Sequence, residues 1–267
     1  MKRRRNLRLT ESTSPFLVYD SGPKRSFKIL TQTHYSSWWD RNQGAASPLH
    51  QMNPCRIRFI ENALRSDREN KVTPTPFKGL RFADIGSGGG ILSESLARLG
   101  ANVVGIDPCE NNVAVAREHA ERDSRLDGRL EYRVGTAEDF VASGDEGSFD
   151  VVCALEVLEH VSDLELFVES CCALTKSGGD VFFSTVNRTP LSYALGIVAA
   201  EYVLRMVPPG THDWNRFVTP NELEAALLRG NASVESVCGM IMNPLSGRWF
   251  LDSNQHDVNY IVHASRH

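Results

Sequence analysis

Apolar positions along the chain alternate between short strand-like runs and helix-spaced stripes. Residues 80–85 (LRFADI) and 101–106 (ANVVGI) are compact apolar runs that predict buried strands. Between them Leu92, Leu96 and Leu99 recur at helical spacing, with Gly100 as the stop. A second helix is predicted over 111–122, with Val113, Ala116 and Ala120 on one side, and a third strand over 130–134. Residues 150–155 (DVVCAL) and 180–184 (DVFFS) predict two more strands, separated by a helix over 164–175. Strands alternating with helices imply βαβ units, hence an α/β fold with a doubly wound, mostly parallel sheet. From Pro220 the order becomes helix and then two β-rich stretches, 233–252 and 258–264, with no helix between them. These predict an antiparallel hairpin at the sheet edge. Upstream, Asn53-Pro54 reads as a helix start, with Asn as cap and Pro at the first helical position, and Ile57, Ile60 and Leu64 sharing a face. The polar, proline-punctuated stretch 66–76 reads as a surface connection.

The 267 residues suit one large α/β domain or two small ones, and no apolar run is long enough to span a bilayer as a helix. The net charge of −4 gives no general footprint for nucleic acid. Its distribution says more: residues 1–30 hold eight basic side chains and two acidic ones, which leaves −10 on the remainder. A basic, acid-poor leader over 1–32 reads as an organelle transit peptide or as a solvated arm, and composition alone does not choose. Six cysteines form no CxxC pair and no zinc spacing, so they read as reduced, mostly buried fillers.

The strongest local motif is Asp84-Ile85-Gly86-Ser87-Gly88-Gly89-Gly90, between a predicted strand and a predicted helix. It is not a P-loop, because no GK[ST] follows. The dinucleotide pattern GxGxxG fails as well, because its third glycine falls on Ile91 or Ser93. Asp84 would repel a pyrophosphate but suits a cationic group such as a methionyl ammonium. Asp107 ends the second strand, where a carboxylate accepts hydrogen bonds from the ribose hydroxyls of a nucleoside. An acidic glycine loop followed by a ribose acid suits S-adenosylmethionine, which has a ribose and no phosphate. After the third strand, Glu138 or Asp139 either reaches the adenine or caps a helix.

At the end of the fourth strand comes Leu155-Glu156-Val157-Leu158-Glu159-His160. If a helical turn begins there, Glu156, Glu159 and His160 share one side at i, i+3 and i+4. Such a set either holds a hard divalent ion or leaves His160 as a base oriented by Glu156. Leu155 is expected flat against the adenosyl group. Over 190–206, Leu191, Leu195, Val198, Tyr202 and Met206 form a helical stripe. That stripe suits an interfacial membrane helix, a lid over an apolar substrate, or a helix packed into the core.

These motifs resemble the ubiquinone-biosynthesis O-methyltransferase family over roughly residues 33–260. The resemblance rests on SSWWD (36–40), PLHQMNPCR (48–56), DIGSGGGILSE (84–94), GID (105–107), ALEVLEHV (154–161), GGDVFFSTVNR (178–188), AEYVLRMVPPGTHDW (200–214) and DVNY (257–260). It implies a Rossmann-like class I methyltransferase domain over 33–267, with an amphipathic segment inserted at 190–217. Its sheet would be seven-stranded, with the last strand antiparallel. By the same resemblance Arg56, Gly86, Asp107 and Leu155 contact S-adenosylmethionine, and the reading of the glycine loop adds Asp84 and Gly88 to the expected cofactor site. Glu156, Glu159 and His160 would hold a divalent cation, magnesium by expectation, with His160 alternatively the catalytic base. The implied substrate is a polyprenylated catechol, met at a membrane surface through 190–206, with a multi-subunit complex as a further expected partner. The leader then reads as directing the chain to the matrix face of the mitochondrial inner membrane, or as a mere extension in a bacterial protein. Ser87 departs from the family, many of whose members carry Cys there. Three rivals are a methyltransferase for a small soluble phenol, a non-catalytic lipid-binding scaffold, and a nicotinamide-dependent oxidoreductase.

Overall fold

A computed structural model describes residues 38–42, 44–65, 73–194, 213–243 and 246–267. The leader and most of the 190–206 stripe lie outside the described residues. Five parallel strands form the expected core: β1 (Arg81–Ile85), β2 (Asn102–Asp107), β3 (Leu130–Val134), β4 (Phe149–Leu155) and β5 (Thr175–Val186). Their linking helices are α2 (Ile91–Arg98), α3 (Glu110–Ala120), α4 (Ala137–Ala142) and α5 (Leu164–Leu174). Helix α1 (Ser47–Arg65) precedes the sheet, and α6 (Pro220–Arg229) leads into β6 (Ala232–Met242), β7 (Trp249–Asp252) and β8 (Asn259–Arg266).

The sheet order is β3-β2-β1-β4-β5-β8-β6-β7, which is the doubly wound arrangement with the final strand antiparallel to β5. Among the described residues it has eight strands where seven are expected. The stretch 233–252 breaks in two around a turn that contains Gly247 at φ +67°, and β7 then pairs back on β6 as an extra edge strand. The expected antiparallel pairing of 233–252 with 258–264 forms, as β6 against β8, but β8 lies inside the sheet between β5 and β6, and β7 takes the edge. The side chains of β8 explain its place, since Tyr260, Ile261, Val262 and Ala264 are all buried, so the strand needs cover on both faces.

Alternate residues of each central strand feed two cores. Ala83, Val152 and Ala154 face Phe140, Phe167 and Leu223 from α4, α5 and α6. Phe82, Val151, Cys153 and Leu155 face Phe59 of α1 and Leu92 and Leu96 of α2. Helix α1 also corrects an expectation: it begins at Ser47, so Pro54 lies inside it rather than at its start. An interior proline costs a helix roughly 3 kcal/mol. Tertiary packing offsets that here, through buried Met52, Cys55, Phe59, Ile60 and Leu64. Asn53 is not a cap; it is buried and donates to the Ile91 carbonyl and to Ser95 Oγ, tying α1 to α2. All six cysteines are free, and Cys55, Cys153, Cys171 and Cys172 are buried as expected.

Candidate functional site

The sheet order reverses between β1 and β4, and the carboxyl ends of strands at such a point open a crevice. A cavity of about 190 Å³ lies there. Arg56, Asp84, Gly86, Gly88, Asp107 and Leu155 all line it, as do Glu156 and His160. The residues predicted for the cofactor therefore come together from α1 and the ends of β1, β2 and β4.

At the β1 end the chain turns sharply. Gly86, Gly88 and Gly90 take φ of +73°, +54° and +91°. The left-handed region is one reason for glycine at 88. The other is packing: a Cβ on Gly88 would stand 2.3 Å from the Trp38 ring, and one on Gly89 would stand 2.5 Å from it. Trp38 and Trp39 lie over the loop, with Trp39 Nε1 donating to the Gly89 carbonyl at 3.0 Å. The ring of Trp39 stacks on His119 with centroids 3.3 Å apart. The packing of the SSWWD tryptophan pair on the glycine loop is a feature that residue-level reasoning missed. The collision that explains the glycines involves positions some fifty residues apart in sequence, and the tryptophan doublet itself was the only signal.

Asp84 is buried and accepts a 2.5 Å hydrogen bond from Ser93 Oγ. Burial pushes its carboxyl up to about 7, against the opposing pull of Ser93 and the Arg56 charge. Asp107 is equally buried, and burial raises it too. Its opposing donors are the backbone N–H of Cys109 and of Gly88, each at 2.9 Å, and the Asn112 amide at 3.1 Å. After β3, Asp139 completes a capping box with Thr136 at the start of α4, while Glu138 lines the cavity. Of the two expected roles, capping is thus the one Asp139 fills.

The stretch after β4 departs from expectation. No helical face carries Glu156, Glu159 and His160. Glu156 is left-handed at φ +58°, and only a single 3₁₀ turn, Leu158–His160, follows. A non-glycine residue there costs of the order of 1–3 kcal/mol, and its partners over-determine it. The Glu156 N–H donates to the Ser184 carbonyl at 2.9 Å, Ser184 Oγ donates to Glu156 Oε1 at 2.8 Å, and Arg56 Nη2 stands 3.3 Å from the same oxygen. Glu159 turns inward, away from the cavity wall, and accepts from Thr185 Oγ1 at 2.7 Å. Burial, reinforced by the Glu156 charge, pushes Glu159 up to about 8. His160 lines the cavity.

The donors fit the two expected ligands unequally. Arg56 is buried; its Nε has no hydrogen-bond partner among the described residues, and its Nη2 has the ion pair to Glu156 but no hydrogen bond. A buried guanidinium with donor capacity to spare on a cavity wall fits a carboxylate, and Asp84 beside it fits an ammonium. The amino-acid end of S-adenosylmethionine carries both. The divalent cation does not fit this arrangement. Among the described residues no three His, Cys, Asp or Glu side chains converge to hold one, and the two carboxylates are committed to Arg56, Ser184 and Thr185. Ser87, the departure from the family, lines the cavity with its Oγ lacking a partner among the described residues.

Comparison with known proteins agrees with this geometry. A family model described as a methyltransferase domain matches residues 83–183. Among solved structures, magnesium protoporphyrin IX methyltransferase from Synechocystis with bound SAH superposes with a TM-score of 0.57 at 19% identity, covering 83% of this chain and 84% of that one. A Pyrococcus horikoshii protein gives 0.57 at 17% identity, covering 87% and 96%. The fold is that of class I S-adenosylmethionine-dependent methyltransferases. Closer in sequence is the protein named mitochondrial ubiquinone biosynthesis O-methyltransferase, 45% identical in Homo sapiens over 95% of this chain and 66% of that protein. In Arabidopsis thaliana the figures are 46%, 96% and 77%. The Cereibacter sphaeroides protein, named without the word mitochondrial, is 44% identical over 86% of this chain and 92% of its own. This chain belongs to the ubiquinone biosynthesis O-methyltransferase family, though it spans only about two thirds of the human relative's length.

Proposed function

We propose that the chain transfers a methyl group from S-adenosylmethionine to a phenolic oxygen of a polyprenylated catechol. The observation that carries the reading is the buried Arg56, whose Nε has no partner among the described residues and whose Nη2 has only the Glu156 ion pair, on the wall of a cavity that Asp84, Asp107 and Leu155 also line. When bound, the cofactor supplies an electrophilic methyl on a sulfonium. Arg56 takes its carboxylate, Asp84 its ammonium and Asp107 its ribose, while Leu155 packs on the nucleoside. Glu159 is turned away from the cavity onto Thr185, and Glu156 on its wall is engaged by Ser184 and Arg56.

A catechol hydroxyl, with a pKa near ~10, is protonated at neutral pH and must lose its proton for transfer. His160 on the cavity wall is the group we assign to accept it at an imidazole nitrogen, which contributes roughly 10²–10⁴-fold in rate. Apolar Val157, Val161, Leu166 and Phe167 line the same cavity beside it and suit an aromatic ring with a prenyl tail. No step is routed through a divalent cation, because the three residues expected to hold one do not converge.

No helix among the described residues is long and apolar enough to cross a membrane. We assign membrane contact to the 190–206 segment, which brings the enzyme to a lipid-borne substrate beside the other subunits of a biosynthetic complex. Leu191 and Tyr193, at its described start, are about half exposed. The basic leader, together with the mitochondrial names of the eukaryotic relatives, supports import to the matrix face of the inner membrane. A product assay with prenylated and unprenylated catechols, with and without liposomes, tests the whole reading. Turnover confined to prenylated substrate and raised by liposomes is expected. Equal turnover of the bare catechol would overturn the lipid part, and no methylated product from either would overturn the activity.

A further inference from the structure

We propose that Asn112 and Trp38 are positioning residues for ribose recognition, acting through Asp107. Trp38 Nε1 donates to Asn112 Oδ1 at 3.2 Å, and Asn112 Nδ2 donates to Asp107 Oδ1 at 3.1 Å. All three side chains are buried and line the cavity. The chemistry of the chain is directional: an indole N–H can only donate and a carboxylate can only accept. A group placed between them must accept on one side and donate on the other. The carboxamide of Asn112 does both while staying neutral beside a buried acid. An aspartate in its place would keep the bond to Trp38 but lose the donor to Asp107 and set two carboxylates together.

The consequence for Asp107 follows from counting. A carboxylate offers about four acceptor positions, and Cys109, Asn112 and Gly88 occupy three of them among the described residues. Both positions on Oδ1 are filled, by Cys109 and Asn112, so the carboxylate cannot rotate without breaking two bonds. The position left is on Oδ2, beside the Gly88 N–H. Trp38 closes the arrangement from the outside, because it packs on Gly88 and Gly89 so tightly that neither tolerates a Cβ. The neighbouring Trp39 pins the same segment through Gly89 and His119. The segment before α1 thus holds the acid that reads the sugar, and does so through Asn112.

This inference rests on the cavity being the S-adenosylmethionine site, and the test separates the two. Calorimetry on the full chain compares S-adenosylhomocysteine with its 2′-deoxy and 3′-deoxy analogues. Wild type is expected to lose about tenfold or more in affinity for whichever analogue lacks the hydroxyl that Asp107 reads, since a hydrogen bond to a charged group is worth roughly that. In Asn112→Ala that ratio should shrink at least threefold, together with weaker binding of S-adenosylhomocysteine itself. Trp38→Phe keeps the ring over the loop and loses the N–H, and should shrink the ratio in the same direction. It also carries the test alone if Asn112→Ala does not fold. A ratio unchanged in the folded variants, even with weaker overall binding, would overturn the inference and leave the cofactor site standing. Wild type that binds none of the three ligands would overturn the site itself.

Discussion

Two pairs of acids flank the same cavity and are held in different ways. Asp84 and Asp107, at the ends of β1 and β2, take their hydrogen bonds from Ser93, Gly88, Cys109 and Asn112, all within the continuous stretch from β1 to α3 and two of them backbone N–H groups. Glu156 and Glu159, after β4, take theirs from Ser184 and Thr185 on β5, and Glu156 pairs with Arg56 on α1. The first corner is built locally, by a tight turn whose geometry the glycines impose. The second exists only because three distant elements meet. Local construction makes an acid legible from its motif, whereas assembly from afar leaves the motif visible and its geometry hidden.

The sharpest way to break the contrast is to remove the long-range partner. Arg56→Met keeps most of the buried stem and leaves Glu156 without its cation. Breaking a buried pair costs about 3–5 kcal/mol, so a melting temperature several degrees lower is expected. Stabilisation by S-adenosylhomocysteine should also disappear. A variant that melts with wild type in the absence of ligand would show that the pair carries no stability.

A smaller effect comes from Glu159→Gln and depends on pH. The folded protein holds this carboxyl up to about 8 against about 4.5 for an ordinary glutamate. The folded state therefore favours the protonated form. Its contribution to stability is fully present below about 4.5, falls as pH rises toward 8, and is flat above that. Glutamine mimics the neutral acid, so the two proteins should melt alike at about pH 4.5 and below, and the variant should gain on wild type progressively as pH rises to 9. Parallel melting curves across that range would show that Glu159 is charged in the fold. Smallest of all is Asp139→Ala, which removes a local cap. A loss of about 1 kcal/mol is expected, with affinity for S-adenosylhomocysteine held within about twofold, as thermal melts and calorimetry would report. A large loss of affinity would put Asp139 on the ligand.

The same division runs through the comparison of sequence with structure. The glycine loop, Asp107 and the alternation of strands and helices were legible because each is a local rule: a turn needing positive φ, an acid at a strand end, a hydrophobic period. Pro54 misled because its cost to α1 is local while the burial that outweighs it comes from α2 and the sheet. The ExxEH spacing misled because a helical face requires helical φ, and Glu156 instead turns left-handed to reach Ser184 and Arg56.

By itself, then, the order of residues determined the parallel α/β core, the place of the glycine turn that lines the cavity and the family to which the chain belongs. Tertiary structure alone decided that Trp38 covers the glycine loop, that β8 inserts beside β5, and that Glu159 faces inward while His160 faces the cavity. Local rules act over a few bonds and repeat with a period that a single sequence displays. Contacts between distant segments are selected by the net burial and hydrogen bonding of the whole fold, which no short stretch of sequence encodes.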